Sequence, residues 1–546
     1  MSGLEAEAGI SADAGTIPSG GSGSAGTLAR AGLIVTAAYL ASRILGWVRT
    51  IVFSAVFGVG TQLDTYYAAF RIPDLVFQLV AAGALGAAVI PVLAGLFAHG
   101  QDARAWRVVS TVSTLILGAL LVLALLAFVA APWLVPLLTP TFSQHELDQT
   151  IDLTRLMLLS PIFLALGAIA SSALNALGRF TVAAVAPLLY NVAIIVAALW
   201  LSPALGVGAL AVGVVVGAFL NAAIQVPQLL REPRFAFHLA IDLRDPAARE
   251  ALVLLLPRAL GLGATQITFL VNTTLAAGLG MGALTAYNFA FTAMQIPLGV
   301  IGLPLGIVLL PALSRAAALG AGADFATMTV RSLRVLLYVM LFLTVIGVVL
   351  QREAVTLLFD YGRFTPANVP IVAGLLALFL LGLAGHALIV VLARAYYARK
   401  DTRTPVMAAV LSVVVNVVVA LATVGPLGLS ALAVGIVAGA WFEALLLLVL
   451  LARWLPALDL PALGRAGLVF GAIALVAGAA AELVRLGSLH LLGPGPGKLA
   501  VIVYSGLAFT VAALAYAGLS RALHLPELDQ ALSLARSALP RGRRGT

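Results

Sequence analysis

The sequence predicts an all-α integral membrane protein: about 14 transmembrane helices, in two six-helix lobes around a central cavity, with a C-terminal helix pair appended. Three observations carry this expectation. Of 546 residues, 62% are hydrophobic and only 10% charged, whereas soluble domains carry about 25% charge. Apolar stretches of about 20 residues recur along nearly the whole chain, the length a helix needs to span a bilayer. The runs also lack the alternation, in segments of about 10 residues, that marks a membrane barrel. A soluble enzyme, a disordered scaffold and a collagen-like fibre are excluded.

In chain order, residues 1–28 are rich in Gly, Ser and Ala and carry Glu5, Glu7 and Asp13 ahead of the first cation, Arg30. A signal peptide would begin with a basic region, so this stretch is expected to be a disordered cytoplasmic tail. The spans are then expected at about 29–57, 64–97, 107–139, 148–176, 181–202 and 206–230 for an N-lobe over 29–230. A cytoplasmic linker follows at 231–248. Spans at 249–279, 283–313, 331–350, 366–393, 404–424 and 428–452 build a C-lobe over 249–452. Within 453–521, spans 464–486 and 499–521 complete the set, and 522–546 reads as a basic cytoplasmic tail with Arg536, Arg541, Arg543 and Arg544. With both termini cytoplasmic, inner connections and tails hold 22 of the 31 cations and outer connections four, Arg352, Arg363, Arg485 and Lys498. That asymmetry is the positive-inside pattern, and an odd number of spans would scramble it.

The chain also repeats itself. Gly86-Ala-Ala-Val-Ile-Pro91-Val-Leu closes span 2, and Gly306-Ile-Val-Leu-Leu-Pro311-Ala-Leu closes span 8. Spans 5 and 11 both start at a basic turn and carry an Asn at similar depth, Asn191 and Asn416. Matching positions six spans apart suggest parallel repeats, a plan on which transporters place a central site.

Composition removes several chemistries. There is no Cys, hence no disulfide, Fe–S cluster or thiolate zinc site. The six His are scattered without metal spacing, and Gly493-Pro-Gly-Pro-Gly-Lys498 is too short for a phosphate loop, with Leu499 where Ser or Thr is required. The +9 net charge is almost all Arg between apolar runs, so it does not make a nucleic-acid face. No metal or other cofactor is expected. No nucleophile–His or paired-carboxylate arrangement at membrane depth supports an enzyme.

What remains is charge inside the spans, which is costly and therefore a functional candidate. Arg43, Arg49, Arg71, Arg155 and Arg258 fall there, with Asp64, Asp74 and Glu443 as the main acids. Snorkelling or a local pair accounts for Arg155. A hydrogen-bonded structural role accounts for Glu443 and for His386. Arg43, Arg49 and Arg71 from the first lobe and Arg258 from the second are expected to meet as a cationic cavity for a large anionic substrate. Guanidinium groups bind phosphate bidentately there, more strongly at low dielectric. The bland alternative pairs each Arg with Asp64, Asp74 or a backbone carbonyl. Arg258 sits roughly 13 Å along its helix from the cytoplasmic end at 1.5 Å per residue. Should Arg258 stand outside the site, neutral groups such as Asn272, Asn288 and Gln295 are expected to hold the substrate from that side.

Several blocks carry a resemblance. They are Ser42-Arg-Ile-Leu-Gly-Trp-Val-Arg49, Phe57-Gly58, Asp64, Phe70-Arg-Ile-Pro73, Leu174-Asn-Ala-Leu-Gly-Arg-Phe180 and Pro187-Leu-Leu-Tyr-Asn191. Gln295-Ile-Pro-Leu-Gly-Val-Ile-Gly302, Tyr361-Gly-Arg-Phe-Thr365 and Tyr396-Tyr-Ala-Arg-Lys-Asp-Thr-Arg-Thr-Pro405 continue them in order over about 30–450. Together they resemble the MurJ (also called MviN) lipid II flippases. The resemblance implies 14 helices, a fold shared with multidrug and polysaccharide exporters, and movement of undecaprenyl-linked peptidoglycan precursor, lipid II, across the inner membrane. Position by position, the family's two span-1 arginines match Arg43 and Arg49, its span-2 aspartate Asp64, and its basic residue before the proline Arg71. Elsewhere the chain departs. Phe77 and Gln78 stand for an arginine pair, Phe291 and Thr292 for an acidic–Arg pair, and Asn272 and Ala420 for aspartates that bind sodium in some relatives.

The expected function is therefore a flippase working by alternating access in the bacterial cytoplasmic membrane. Arg43, Arg49, Arg71 and Arg258 would hold the pyrophosphate, Asn272 and Gln295 would add neutral contacts, and Asp64 would orient an arginine or gate the outer side. Its expected partners are lipid II, membrane lipids and cell-wall synthesis proteins. The rivals are an exporter of another polyprenyl-linked glycan and a non-transporting membrane scaffold for wall synthesis.

Overall fold

The computed structural model describes residues 23–80, 84–232, 235–455, 458–493 and 495–538. Among them the chain is helical almost throughout and no strand occurs. Of the expected N-terminal tail, residues 1–22 lie outside the described residues, and α1 (Gly23–Phe57) begins before the span expected at 29. After a tight turn at Gly58-Val-Gly60, α2 (Thr61–Val80) and α3 (Ala84–Ala98) together occupy the second expected span. α4 (Asp102–Leu138) follows as one long helix. The fourth span is two helices, α5 (Gln144–Met157) and α6 (Ser160–Ala176). Ser143 and Glu146 form a reciprocal capping box that starts α5, and Pro161 stands in the first turn of α6, where its missing N–H costs nothing. α7 (Phe180–Trp200), short α8 (Ser202–Leu205), α9 (Gly208–Ala223) and short α10 (Val226–Leu230) complete this half.

The second half opens with α11 (Pro246–Ala277). Asp245 caps its N-terminus, accepting from the Ala247 N–H, and pairs with both Nε and Nη2 of Arg104, at 2.8 and 2.9 Å. The Arg104 hydrogen bond holds the Asp245 carboxyl below the usual carboxylate range. α12 (Ala283–Pro297) runs into α13 (Leu303–Ala318) through a π-helical stretch, Leu298–Gly302. That stretch lies between Pro297 and Pro304, two residues without the N–H an α-helix needs. α14 (Gly322–Val349), α15 (Gln351–Phe359), α16 (Val369–Leu380) and α17 (Leu383–Ala398) come next, the last two bent by 41° within one expected span. α18 (Arg403–Leu427) and α19 (Ser430–Ala452) close the half. α20 (Leu460–Leu492) and α21 (Lys498–Ala522) are the appended pair.

Part of the expected C-terminal tail is structured. α22 (Pro526–Ala538) docks on α14, where buried Glu527 accepts from Arg334 Nε at 2.5 Å. Among the described residues, 11 helical stretches are long and apolar enough to cross a membrane, or 12 if the bent α16–α17 pair is one span. α2 misses that standard because Asp64, Arg71 and Asp74 interrupt it. Large side chains cover the outside, Leu137 72% and Trp200 79% exposed, as expected where lipid replaces water.

The internal repeat reappears in the packing. Small residues four apart let helix backbones touch, with Gly213 and Gly217 of α9 against α7, and Gly435 and Gly439 of α19 against α18. A Cβ at Gly213 would lie 2.8 Å from Ala197 Cβ, and one at Gly435 would lie 2.8 Å from the Asn416 carbonyl oxygen. Asn191 and Asn416, the paired asparagines, sit on those two receiving helices and both are buried.

Candidate functional site

α1, α2, α11 and α12 position the charged residues at membrane depth. On α1, Arg43 reaches across to the π-helical stretch: a Cβ on Gly299 would lie 2.5 Å from its Nη1. Arg49 lies deeper in the first half. Its guanidinium carbon is 6.0 Å from the Phe53 ring centre, within Coulombic reach of Tyr66, Tyr67 and Tyr190. Its Nε is buried with no hydrogen-bond partner, an unsatisfied donor of the kind a substrate oxygen would satisfy.

Arg71, on α2, crosses to the second half. Its Nε donates to Thr273 Oγ1 on α11 at 2.8 Å, and its Nη2 donates to Asn288 Oδ1 on α12 at 3.1 Å. The Phe269 ring centre is 5.3 Å from the guanidinium carbon. Asp74, one turn along α2, faces Arg71 electrostatically and accepts from Gln78.

Asp64 stands two turns before Arg71 and is 2% exposed. One oxygen accepts from the Gly282 N–H at 2.6 Å; the other accepts from the Thr285 N–H and hydroxyl at 2.7 and 2.6 Å. The carboxylate thus caps α12 from the other half of the protein, satisfying amides that a helix start leaves orphaned. The hydrogen-bond partners of Asp64 are thus Gly282 and Thr285 of the second half, neither of them an arginine. Gly282 holds φ +79°, and a Cβ there would press within 2.8 Å of Val59 Cγ1, so the approach needs glycine.

More contacts close the same end. Ser54 Oγ donates to the Phe359 carbonyl at 2.9 Å, the Arg363 N–H donates to the Ala55 carbonyl at 2.8 Å, and Thr141 donates to the Ala277 carbonyl at 2.6 Å. The turn from Phe359 to Arg363 is also held from its far side. Lys498 donates to the Asp360 carbonyl and lies over the Tyr361 ring. Below it, Glu353 accepts from Arg485 and from the Tyr504 hydroxyl.

The other expected residues divide. Asn272 is fully buried, its Nδ2 donating to the Tyr287 hydroxyl at 3.3 Å while its Oδ1 is unpartnered. Gln295 is exposed near the end of α12. Position 258 lies on α11, and the Arg258 side chain lies outside the described residues. Arg155 is accounted for locally, by the Phe128 carbonyl at 3.3 Å and the Phe128 ring. The structure therefore brings Arg43 and Arg71 to the second half and leaves Arg49 among tyrosines of the first. Sequence reasoning missed Thr273, Gly282, Thr285 and the three tyrosines. Thr285 had one visible signal, a polar residue one turn before Asn288.

The family described as "Lipid II flippase MurJ" matches residues 53–491. A Burkholderia cenocepacia protein named lipid II flippase MurJ is 32% identical over 425 residues, 76% of this chain and 82% of its own. A Rhizobium meliloti protein named probable lipid II flippase MurJ is 33% identical over 432 residues, 76% of this chain and 78% of its own. A solved lipid II flippase MurJ in an inward closed conformation superposes with a TM-score of 0.75 at 20% identity, covering 90% of this chain and 99% of that one. An inward-facing MATE multidrug transporter of the MOP superfamily gives 0.65 at 15%, covering 76% and 95%. With the span-1 and span-2 blocks, the helix order and these matches in agreement, the chain belongs to the MurJ family of lipid II flippases.

Proposed function

We propose that this chain moves lipid II from the inner to the outer leaflet of a bacterial cytoplasmic membrane by alternating access, for cell-wall synthesis. Residues 29–230 and 249–452 act as the two moving lobes, with both termini cytoplasmic. The observation that carries this reading is the double use of α2. Arg71 reaches the second half at depth, and Asp64 ties the same halves together at the sealed end. One helix thus carries both a candidate phosphate-binding residue and a latch, as a transporter that couples binding to opening requires.

In this reading Arg43, Arg49, Arg71 and Arg258 hold the pyrophosphate, Asn272 and Gln295 line the approach, and the sealed end faces outward. The unpartnered Nε of Arg49 supports its place in the set. No covalent chemistry is required. The test is replacement of the resident flippase in a bacterium depleted of it. Restored growth with lipid II exposed on the outer leaflet is expected; growth failure with folded protein in the membrane would overturn the reading.

A further inference from the structure

The Nε–H and one Nη2–H of an arginine point the same way and form one edge of the fork. In Arg71 that edge is committed to the second half, to Thr273 and Asn288. Thr273 is fully buried on α11. Asn288 spends its amide N–H on the Leu284 carbonyl at 2.7 Å, which leaves its Oδ1 turned to Arg71. Phe269, one turn before Thr273, adds its ring face. All three anchors are neutral, so they orient the guanidinium without neutralising it; the opposing charge is Asp74, one turn along α2, and the edge carrying Nη1 points away from Thr273 and Asn288.

We propose that Thr273 and Asn288 are positioning residues that make the grip of Arg71 on pyrophosphate depend on conformation. This rests on Arg71 being a pyrophosphate-binding residue, as read above. While the outward end is sealed, the anchors fix one edge of the fork and present the other to the substrate. When the halves part at that end, α11 and α12 withdraw, Arg71 regains its rotamers, and the fork is no longer preorganised. Affinity falls on the side where substrate must leave. By reciprocity, bound pyrophosphate favours the anchored, outward-sealed state.

The experiment measures binding of a short-chain lipid II analogue, together with outward labelling of Val59→Cys by a membrane-impermeant maleimide. The native chain has no other thiol. Asn288→Ala and Thr273→Val should each weaken binding about three- to tenfold, the range for loosening one rotamer-rich side chain. Both should also raise labelling, and the analogue should protect the cysteine less than it does in the parent. In an Arg71→Gln background neither should weaken binding further, which a merely structural role would not produce. Asn288→Asp sets a carboxylate against the guanidinium and should lower labelling and slow flipping; it serves also where the alanine variant misfolds. Parent-like binding in both anchor variants, with Arg71→Gln defective, overturns the inference alone. Parent-like binding and flipping by Arg71→Gln overturns the site reading as well.

Discussion

Asp64 accepts two hydrogen bonds from Thr285, one from its backbone N–H and one from its hydroxyl, across the divide between the two halves of the protein. A third comes from Gly282. These bonds exist only while the halves touch at that end. Opening must break them together and expose the start of α12.

Asp64→Asn puts an amide group where an acceptor faces N–H donors, so the cap weakens by about 1–3 kcal/mol. The outward-open population should rise about five- to 150-fold, since 1.4 kcal/mol is a factor of ten. Maleimide labelling of a Val59→Cys reporter measures it. Unchanged labelling would show that Asp64 is no part of the seal.

Arg258 is the deep cation expected from the second lobe, since Thr292 stands where the family resemblance implies an arginine. Arg258→Gln should abolish flipping without loss of folded protein. Arg258→Lys, which keeps charge but lacks the bidentate fork, should retain partial activity. Full complementation by the Gln variant would hand this side of the site to Asn272, Asn288 and Gln295.

Sodium prefers several oxygen ligands with a carboxylate among them. Position 272 offers a neutral amide in place of a carboxylate, and position 420 a methyl group. Translocation in vesicles should therefore proceed equally well in potassium. A steep loss on removing sodium would contradict this.

Topology is testable cleanly in a chain without native thiols. Arg179→Cys and Arg399→Cys should label only from the cytoplasmic side, and Asp148→Cys only from outside. Labelling of Arg179→Cys from outside alone would defeat the arrangement with both termini cytoplasmic.

The Arg104–Asp245 contact gives a pH prediction at the start of α11. The Asp245 pKa is depressed on folding, so its contribution is present above the unfolded value of about 3.9 and is lost as pH falls through the lower folded value. The linker and first turn of α11 should hold their hydrogen-exchange protection at pH 5 and lose it only under more acid conditions. Asp245→Asn should remove that acid dependence.

How much of this was legible beforehand follows from what a bilayer penalises. Arg43, Arg49, Arg71 and Asp64 stood out because charge within apolar runs is rare and costly. Thr273 and Thr285 did not, because threonine is common in membrane helices and satisfies itself on a backbone carbonyl, as Thr274 does on Leu270. The Gly282 N–H has no side-chain signature at all. Span order was readable from hydropathy, whereas the division of the fourth span into α5 and α6 depends on local backbone geometry that hydropathy averages away. The helical C-terminus escaped notice because its anchors, the Glu527–Arg334 ion pair and buried Leu528, join segments far apart in sequence.

The turn from Phe359 to Arg363 is gripped by α1 on one side and by Lys498, at the start of α21, on the other. Lys498 rides on a helix whose exposed leucines meet lipid tails, Leu499 and Leu514 among them. Helices in a bilayer adjust their tilt to its hydrocarbon thickness. A thicker or thinner membrane therefore reaches this turn directly, through the lean of α20 and α21. The tightness of this seal becomes a property of the protein and its lipids together, and on the proposed function the same chain should cycle at different speeds in membranes of different acyl length.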